Sequence, residues 1–181
     1  MEKSQWYIGT PNGVVMCVDN MVEHQPQGRF YHAYSREGAR FRTVEQFLTG
    51  LEQFYNWINF PYPGTNDRTF INAGGAKILH GSLAERTKIM KDEELLSRHG
   101  ELGTFIIRVQ HRQNSSWQGR ITWMDKNKTV NFRSVWELIK LVDGALDSVC
   151  GQEEIPAELS WTESSLNSEG GGTSRRMSGM D

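Results

Sequence analysis

Two arginines, Arg108 and Arg112, stand in a stretch where apolar and polar residues alternate as they do in a strand. Because successive side chains of a strand point to opposite faces, this spacing places both guanidinium groups opposite Phe105, Ile107 and Val109. Guanidinium groups on an open sheet clamp phosphates, stack on bases or anchor a protein partner. The spacing therefore predicts a partner-binding face that carries both arginines.

Aromatic and basic residues follow directly in the chain and extend this predicted face. Trp117 and Arg120 lie in the connecting loop and the next strand, whereas Trp123 is more typical of a core residue. Aromatic anchors dominate many protein interfaces, and aromatic rings also stack on unpaired bases. We therefore assign Trp117 and Arg120 to partner binding as well.

Two further arginines, Arg42 and Arg133, each stand directly before a predicted helix cap. The first turn of a helix offers free backbone N–H groups and the positive end of the helix dipole, both of which attract anions. An arginine at this position indicates either an anion site or a structural salt bridge, and both interpretations stay open. We include both arginines among the candidate partner-binding residues.

The chain shows no pattern that is typical of a catalytic or metal site. The two cysteines and five histidines lack the spacing of metal ligands, and no nucleophile elbow is present. We therefore predict a protein that is not an enzyme and that uses neither a cofactor nor a metal.

The elements that must position these residues occur twice in the sequence. The segment QGRFYHAYSREGARFRTVEQFLTGLEQFY at 27–55 matches QGRITWMDKNKTVNFRSVWELIKLVDGAL at 118–146 without a gap, at an offset of 91 (118 − 27). Both copies contain a capping box, Thr43-x-x-Gln46 and Ser134-x-x-Glu137, followed by apolar residues at helical spacing.

This match predicts an α+β fold of two tandem duplicated β-hairpin–helix modules, at about 13–59 and 104–147. Their strands would form one antiparallel sheet, covered by helices over 44–59 and 135–146. The alternative is chance convergence of two common patterns. A charged helix over about 82–98, opened by a capping box at Ser82, would join the modules, and a loop is expected over 19–27.

Composition divides the chain into a domain at 1–150 and a tail at 151–181. The tail is rich in Gly and Ser, and it carries five Glu and one Asp against two Arg, a net charge of −4 within a whole-chain charge of −2. The domain therefore carries +2. We expect the acidic tail to be disordered. The sequence lacks a long apolar run and a secretion signal, so we expect a cytoplasmic protein that does not contact a membrane.

Three stretches carry a resemblance to a known family: TFIIRVQHRQNSSWQGRITW at 104–123, NFRSVWELIKLVDGAL at 131–146 and FYNWINFPYPGTNDRTF at 54–70. They resemble small proteins spread on mobile elements of gut bacteria, and within these the anti-CRISPR inhibitors of type II-A Cas9. The resemblance implies a bacterial, cytoplasmic, non-enzymatic protein that binds guide-RNA-loaded Cas9 and suppresses DNA engagement or cleavage. It assigns no role to any single residue.

A second interpretation follows from the arginines and aromatic residues alone. They suit a nucleic-acid-binding regulatory protein of a mobile element, with DNA as the partner. A homodimer is compatible with either interpretation.

Overall fold

A six-stranded antiparallel sheet organises the computed structural model, which describes residues 6–64, 70 and 85–151. The strands are β1 (Val14–Val22), β2 (Gln25–His32), β3 (Ala39–Phe41), β4 (Gly103–Gln113), β5 (Ser116–Trp123) and β6 (Lys128–Phe132). Their order across the sheet is β3-β2-β1-β4-β5-β6. The helices are α1 (Val44–Ile58), α2 (Asp92–Leu96) and α3 (Val135–Cys150). The predicted α+β class with an antiparallel sheet is confirmed.

Both long helices begin at the predicted capping boxes. The Thr43 hydroxyl accepts a hydrogen bond from the Gln46 N–H at 3.2 Å, and the Ser134 hydroxyl accepts one from the Glu137 N–H at 3.1 Å. The return bonds are also present, because the Gln46 and Glu137 side chains accept from the backbone N–H of the residue before each cap. These bonds satisfy amides that have no partner within the helix. Helix α1 ends one residue before the predicted end, and α3 continues four residues beyond it.

Helices α1 and α3 cover one face of the sheet, which we call the inner face. Phe47 of α1 packs against the rings of Phe30 and Phe41, with centroids 5.7 and 5.1 Å away. Met16 lies directly opposite Phe30 in the sheet and shares this face. Full burial of such side chains contributes about 1.5–3 kcal/mol each, so the inner face supplies much of the stability of the fold.

The opposite face, which we call the outer face, is covered only in part. Arg98 stacks on Tyr31 of β2 at 4.9 Å, and the carbonyl of Ile8 accepts a bond from Arg108 of β4. The segment at residues 6–12 and the chain around Arg98 thus lie against the outer face. Because both faces are covered at the centre of the sheet, the five residues Val14–Val18 are all buried.

The predicted helix over 82–98 is largely wrong. Helix α2 spans only Asp92–Leu96, and residues 85–91 are not helical. The N–H groups of Ile89 and Met90 both donate to the carbonyl of Ala33, which holds this segment against the sheet. A helix can therefore start only after it. The predicted cap at Ser82 lies outside the described residues.

The predicted loop over residues 19–27 is also wrong. Strand β1 continues to Val22, and a two-residue turn at Glu23 and His24, with φ of 50° and 60°, leads into β2. Positive φ at both turn residues is typical of a tight hairpin. Pro26 is tolerated because β3 pairs only with Gly28–Phe30, so β2 has a free edge at the proline.

Several local features of the first half recur 91 residues later in the chain. The turn at Glu23 and His24 corresponds to that at Asn114 and Ser115, where φ is also positive at both residues. A β-bulge follows Val18 and, in the second half, Val109. The side chain at the start of β2, Gln25, accepts from the Val44 N–H at 3.1 Å, and Ser116 at the start of β5 accepts from the Val135 N–H at 3.0 Å.

The two halves meet through strands β1 and β4. Val15 pairs with Ile106, which stands at the matching position of the second half. On either side of this pair, Val14 pairs with Ile107 and Met16 pairs with Phe105. Phe105 lies 91 residues after Val14, and Ile107 lies 91 residues after Met16, so the two pairs occupy equivalent positions. The centre of the sheet is therefore a local two-fold centre.

Two predictions depend on parts of the chain that are only partly described. No helix within residues 6–64 or 85–151 has the length and apolar character needed to cross a membrane. The tail predicted at 151–181 lies outside the described residues except for Gly151.

Candidate anion-binding site on the outer face

A β-bulge separates two of the predicted site residues. The pairing of β4 with β5 shifts by one residue between Val109 and His111. An extra residue reverses which face the following side chains occupy. Arg108 therefore lies on the outer face opposite Arg120, whereas Arg112 lies on the inner face opposite Trp117. The prediction that Arg108 and Arg112 share one open face is wrong for this reason.

Arg112 is an internal residue that joins the second hairpin to α1. Its side chain is 7% exposed and forms an ion pair with Glu52. Its guanidinium group also donates to Asn56 Oδ1 at 2.7 Å and to the carbonyl of Pro61 at 3.3 Å. Because its donors are used inside the fold, Arg112 is not available to a partner.

Trp117 completes the same internal contact. Its indole N–H donates to the second carboxylate oxygen of Glu52 at 3.1 Å, and its ring meets Tyr55 edge to face at 5.4 Å. The side chain is 6% exposed. The prediction of Trp117 as an exposed partner-binding residue is therefore corrected: it is a core residue with a satisfied polar group.

Arg42 and Arg133 are exposed but do not lie together. Each helix begins beside the hairpin of its own half, through the Gln25–Val44 and Ser116–Val135 bonds described above. Because β1 and β4 run antiparallel, the two hairpins point to opposite ends of the sheet. The two arginines therefore mark opposite ends. The Arg133 side chain lies 3.5 Å from Glu137, a weak surface pair.

Arg108 and Arg120 form a cross-strand pair on the outer face. The Arg108 guanidinium group is half-buried and donates to the backbone carbonyls of Ile8, at 2.8 Å, and Tyr7. Arg120 is exposed and donates from Nε to Asn131 Oδ1 at 3.3 Å. Among the described residues, neither guanidinium group has a carboxylate partner. Two cations thus stand side by side, and no acidic side chain of residues 6–64 or 85–151 pairs with either.

The electrostatics at this pair favour an anion. Burial lowers the pKa of Arg108 below its ordinary value, and the neighbouring charge of Arg120 lowers this pKa further. An arginine nevertheless stays charged under all physiological conditions. An anion placed between the two guanidinium groups would relieve their repulsion and receive directed N–H donors.

At the corresponding position of the first half, an acidic side chain neutralises the arginine. Arg29 stands where Arg120 stands, 91 residues earlier, and its Nη2 lies 3.1 Å from the carboxylate of Asp19. In the second half the residue that corresponds to Asp19 is Gln110. The absence of an acid at position 110 leaves the charge of Arg120 unpaired. The difference between Asp19 and Gln110 is present in the sequence. It is recognised only when the outer-face positions of the two segments are compared one by one.

The described part of the chain has no cluster of metal ligands, and its thiol in the core is protonated. It contains no group of three or more His, Cys, Asp or Glu side chains that could hold a metal ion. Burial raises the pKa of Cys17 to about 12, so this thiol stays protonated at neutral pH.

Comparison with known proteins adds no relative. No protein-family model, no curated protein and no solved structure matches this chain.

Proposed function

We infer that the chain consists of two tandem copies of one module, each made of a β-hairpin, a third strand and a helix. Three features that recur at a spacing of 91 residues support this inference: the hairpin turn, the bulge and the bond from the start of the second strand to the helix. Gapless recurrence of such specific contacts is difficult to reconcile with chance similarity. The local two-fold centre at Val15 and Ile106 agrees with it.

We propose that the protein binds the phosphate backbone of a nucleic acid through Arg108 and Arg120. The observation that carries this proposal is the cross-strand pair of arginines without an acid, at a position that an Asp–Arg pair neutralises in the other half. Arginine donors account for many protein contacts to phosphate oxygens. The protein would act by binding and not by catalysis.

The surroundings of the pair support a polyanionic partner. The exposed outward-facing residues next to Arg120 on β6 are Thr129 and Asn131, which are uncharged and can bond to sugars and phosphates. Arg133 directly follows β6, and its side chain is 90% exposed. The outer surface of β5 and β6 therefore offers positive charge and polar groups over a continuous area.

The test is binding of labelled single- and double-stranded oligonucleotides at two salt concentrations. We expect Arg120→Glu to reduce affinity by at least about tenfold and to lower the salt slope by about one, as expected for the loss of one phosphate contact. Arg36→Glu is the matched control, because it makes the same charge change at an exposed loop residue of the first half. Equal losses in both variants, or no binding by the unaltered protein, would contradict the proposal.

A second proposal rests on the resemblance to anti-CRISPR proteins. In it, the partner is guide-RNA-loaded Cas9, and the protein suppresses target DNA engagement or cleavage. Two large aromatic side chains support binding to a protein surface, because Trp57 is 45% exposed and Trp136 is 66% exposed. A target-cleavage assay with and without the protein tests this proposal directly. Full cleavage at a large excess of the protein would remove it, while oligonucleotide binding in that case would leave the first proposal intact.

A further inference from the structure

An open groove with aromatic walls lies between β2 and the C-terminal half of α1. Its volume is about 390 Å³, which is within the usual range for a small-molecule site. His32 and Phe54 stack face to face, with ring centroids 4.2 Å apart and planes inclined by 7°. Tyr34 and Trp57 meet edge to face at 5.8 Å. Two walls of stacked and crossed rings therefore line one cavity.

The lining of this groove, which we call the aromatic groove, carries no charge at neutral pH. His32 accepts a bond from the Tyr34 N–H through Nδ1, and burial lowers its pKa to about 4, so the imidazole is neutral. Gln53 contributes an exposed amide that has no bond among the described residues. A ligand that fits this groove is planar and uncharged where it contacts the aromatic rings. It carries polar groups at its edge, where the Gln53 amide can bond to them.

A positive charge stands at the rim of the aromatic groove. The Arg86 guanidinium carbon lies 4.5 Å above the ring of Trp57, and Arg86 Nη2 is 3.5 Å from the carbonyl of the same residue. The guanidinium group is exposed, so most of its donors face solvent. An anionic substituent of a ligand held against Trp57 would meet this group.

The matching positions of the second half carry different side chains. A corresponding groove there is lined by residues 91 positions later, with Ala145 and Ser148 where the first half has Phe54 and Trp57, and with Trp123 where it has His32. It contains Gly144 in place of Gln53. Because α3 folds with Ser148 and Gly144 at these two positions, packing of the helix does not require the exposed side chains of Trp57 and Gln53.

We propose that the aromatic groove binds a nucleobase, which stacks on the exposed part of Trp57 beside the His32–Phe54 pair, with the attached phosphate near Arg86. The base belongs either to a free nucleotide or to an unpaired position of a nucleic acid. Stacking on aromatic side chains suits every base, and the Gln53 amide is able to bond to a base edge. This site is separate from Arg108 and Arg120, since the groove borders α1 on the inner side of the sheet.

Isothermal titration of the full chain tests this proposal, with AMP, adenosine, inorganic phosphate and an oligo(dA) strand as probes. We expect saturable binding of AMP. Trp57→Ala should weaken it by between about fivefold and a hundredfold, the effect of losing one stacked ring, and Trp57→Phe should retain it. Trp136→Ala is the matched control, because this exposed tryptophan lies on α3 outside the groove. Tighter binding of oligo(dA) than of AMP would identify the unpaired base as the source.

Three results would overturn the proposal. The first is the absence of saturable AMP binding. The second is an equal loss in the Trp57 and Trp136 variants, and the third is binding of inorganic phosphate with the affinity of AMP. The outer-face site gives a different pattern, because Arg120→Glu should leave AMP binding unchanged while it weakens salt-dependent oligonucleotide binding. Failure of one proposal is therefore distinguishable from failure of the other.

Discussion

Arg112 and Glu52 form an ion pair that ties β4 of the second half to α1 of the first. The arginine side is 7% exposed and the glutamate side 40% exposed, so the pair lies at the border of the core. The Glu52 carboxylate also accepts a hydrogen bond from the indole N–H of Trp117. Two residues of the second hairpin therefore bind to the same carboxylate.

Replacement of Arg112 should therefore act on stability. We expect Arg112→Met to lower the free energy of unfolding by about 3 kcal/mol, the lower end for a broken buried pair, because Glu52 stays partly hydrated. Urea unfolding measures this change. Arg36→Met, at an exposed loop position, should change stability by less than about 0.5 kcal/mol. A loss below about 1 kcal/mol for the Arg112 variant would show that the contact is dispensable.

Gly28 and Gly119 occupy matching places where two strands approach closely. A Cβ atom added at Gly28 would lie 1.9 Å from the carbonyl oxygen of Cys17, and one at Gly119 would lie 2.1 Å from that of Arg108. Because backbone atoms cannot move aside cheaply, alanine at either position should cost more than about 2 kcal/mol in thermal or urea unfolding.

Gly144 provides the control for these two glycines. It lies within α3, and a Cβ atom there would have no neighbour within 4 Å. Gly144→Ala should therefore stabilise the protein by about 0.5–1 kcal/mol through helix propensity. Stabilisation by alanine at position 28 or 119 would contradict the close approach of the strands.

His32 should make stability depend on pH. Burial lowers its pKa from 6.5 to about 4 in the folded protein, so the unfolded chain binds the proton more tightly between these values. Its contribution is fully present above about pH 6.5 and is lost as the pH falls toward 4. The loss at pH 5 should be at most about 2 kcal/mol. The His32→Phe variant keeps an aromatic ring stacked on Phe54. In this variant, the free energy of unfolding measured with urea should differ less between pH 7 and pH 5 than it does in the unaltered protein. An unchanged difference would assign the pH dependence to other groups.

An acid at position 110 should neutralise the outer-face pair. Gln110→Asp recreates the arrangement of Asp19 and Arg29, in which the carboxylate lies 3.1 Å from the guanidinium group. We expect oligonucleotide affinity to fall by about tenfold while the free energy of unfolding changes by less than about 0.5 kcal/mol. Gln110→Asn keeps the charge unchanged and should bind as the unaltered protein does. Undiminished affinity in the aspartate variant would separate Arg120 from binding.

The elements were predictable where residue type and spacing act locally. The caps at Thr43 and Ser134 follow from the preference of hydroxyl side chains for helix starts, and the apolar spacing after them predicted the helix faces. The match at an offset of 91 predicted one antiparallel sheet with strands from both segments, but it did not predict the order of the strands. Proline is typical of loops, so Pro26 hides the hairpin turn at residues 23 and 24 from a prediction based on local composition.

The β-bulge and contacts between distant parts of the chain decide which residues form the site. Local sequence patterns show neither of these features. Alternation continues through Gln110, so the sequence does not show the bulge that moves Arg112 to the inner face. The burial of Trp117 follows from Glu52, which lies 65 residues away in the chain. Arg108 does lie on the face opposite Phe105, because it precedes the bulge, and Arg120 is its partner on the next strand.

The pairing of β1 with β4 has a consequence for either half alone. A fragment that ended after α1 would leave the edge of β1 unpaired, with Val14 to Val18 facing solvent along that side. The pairing positions are related by a two-fold axis around Val15 and Ile106, so the edge of β1 has the register to pair with β1 of a second fragment. We therefore expect such a fragment to self-associate through the edge of β1, in the orientation that β1 and β4 adopt in the full chain.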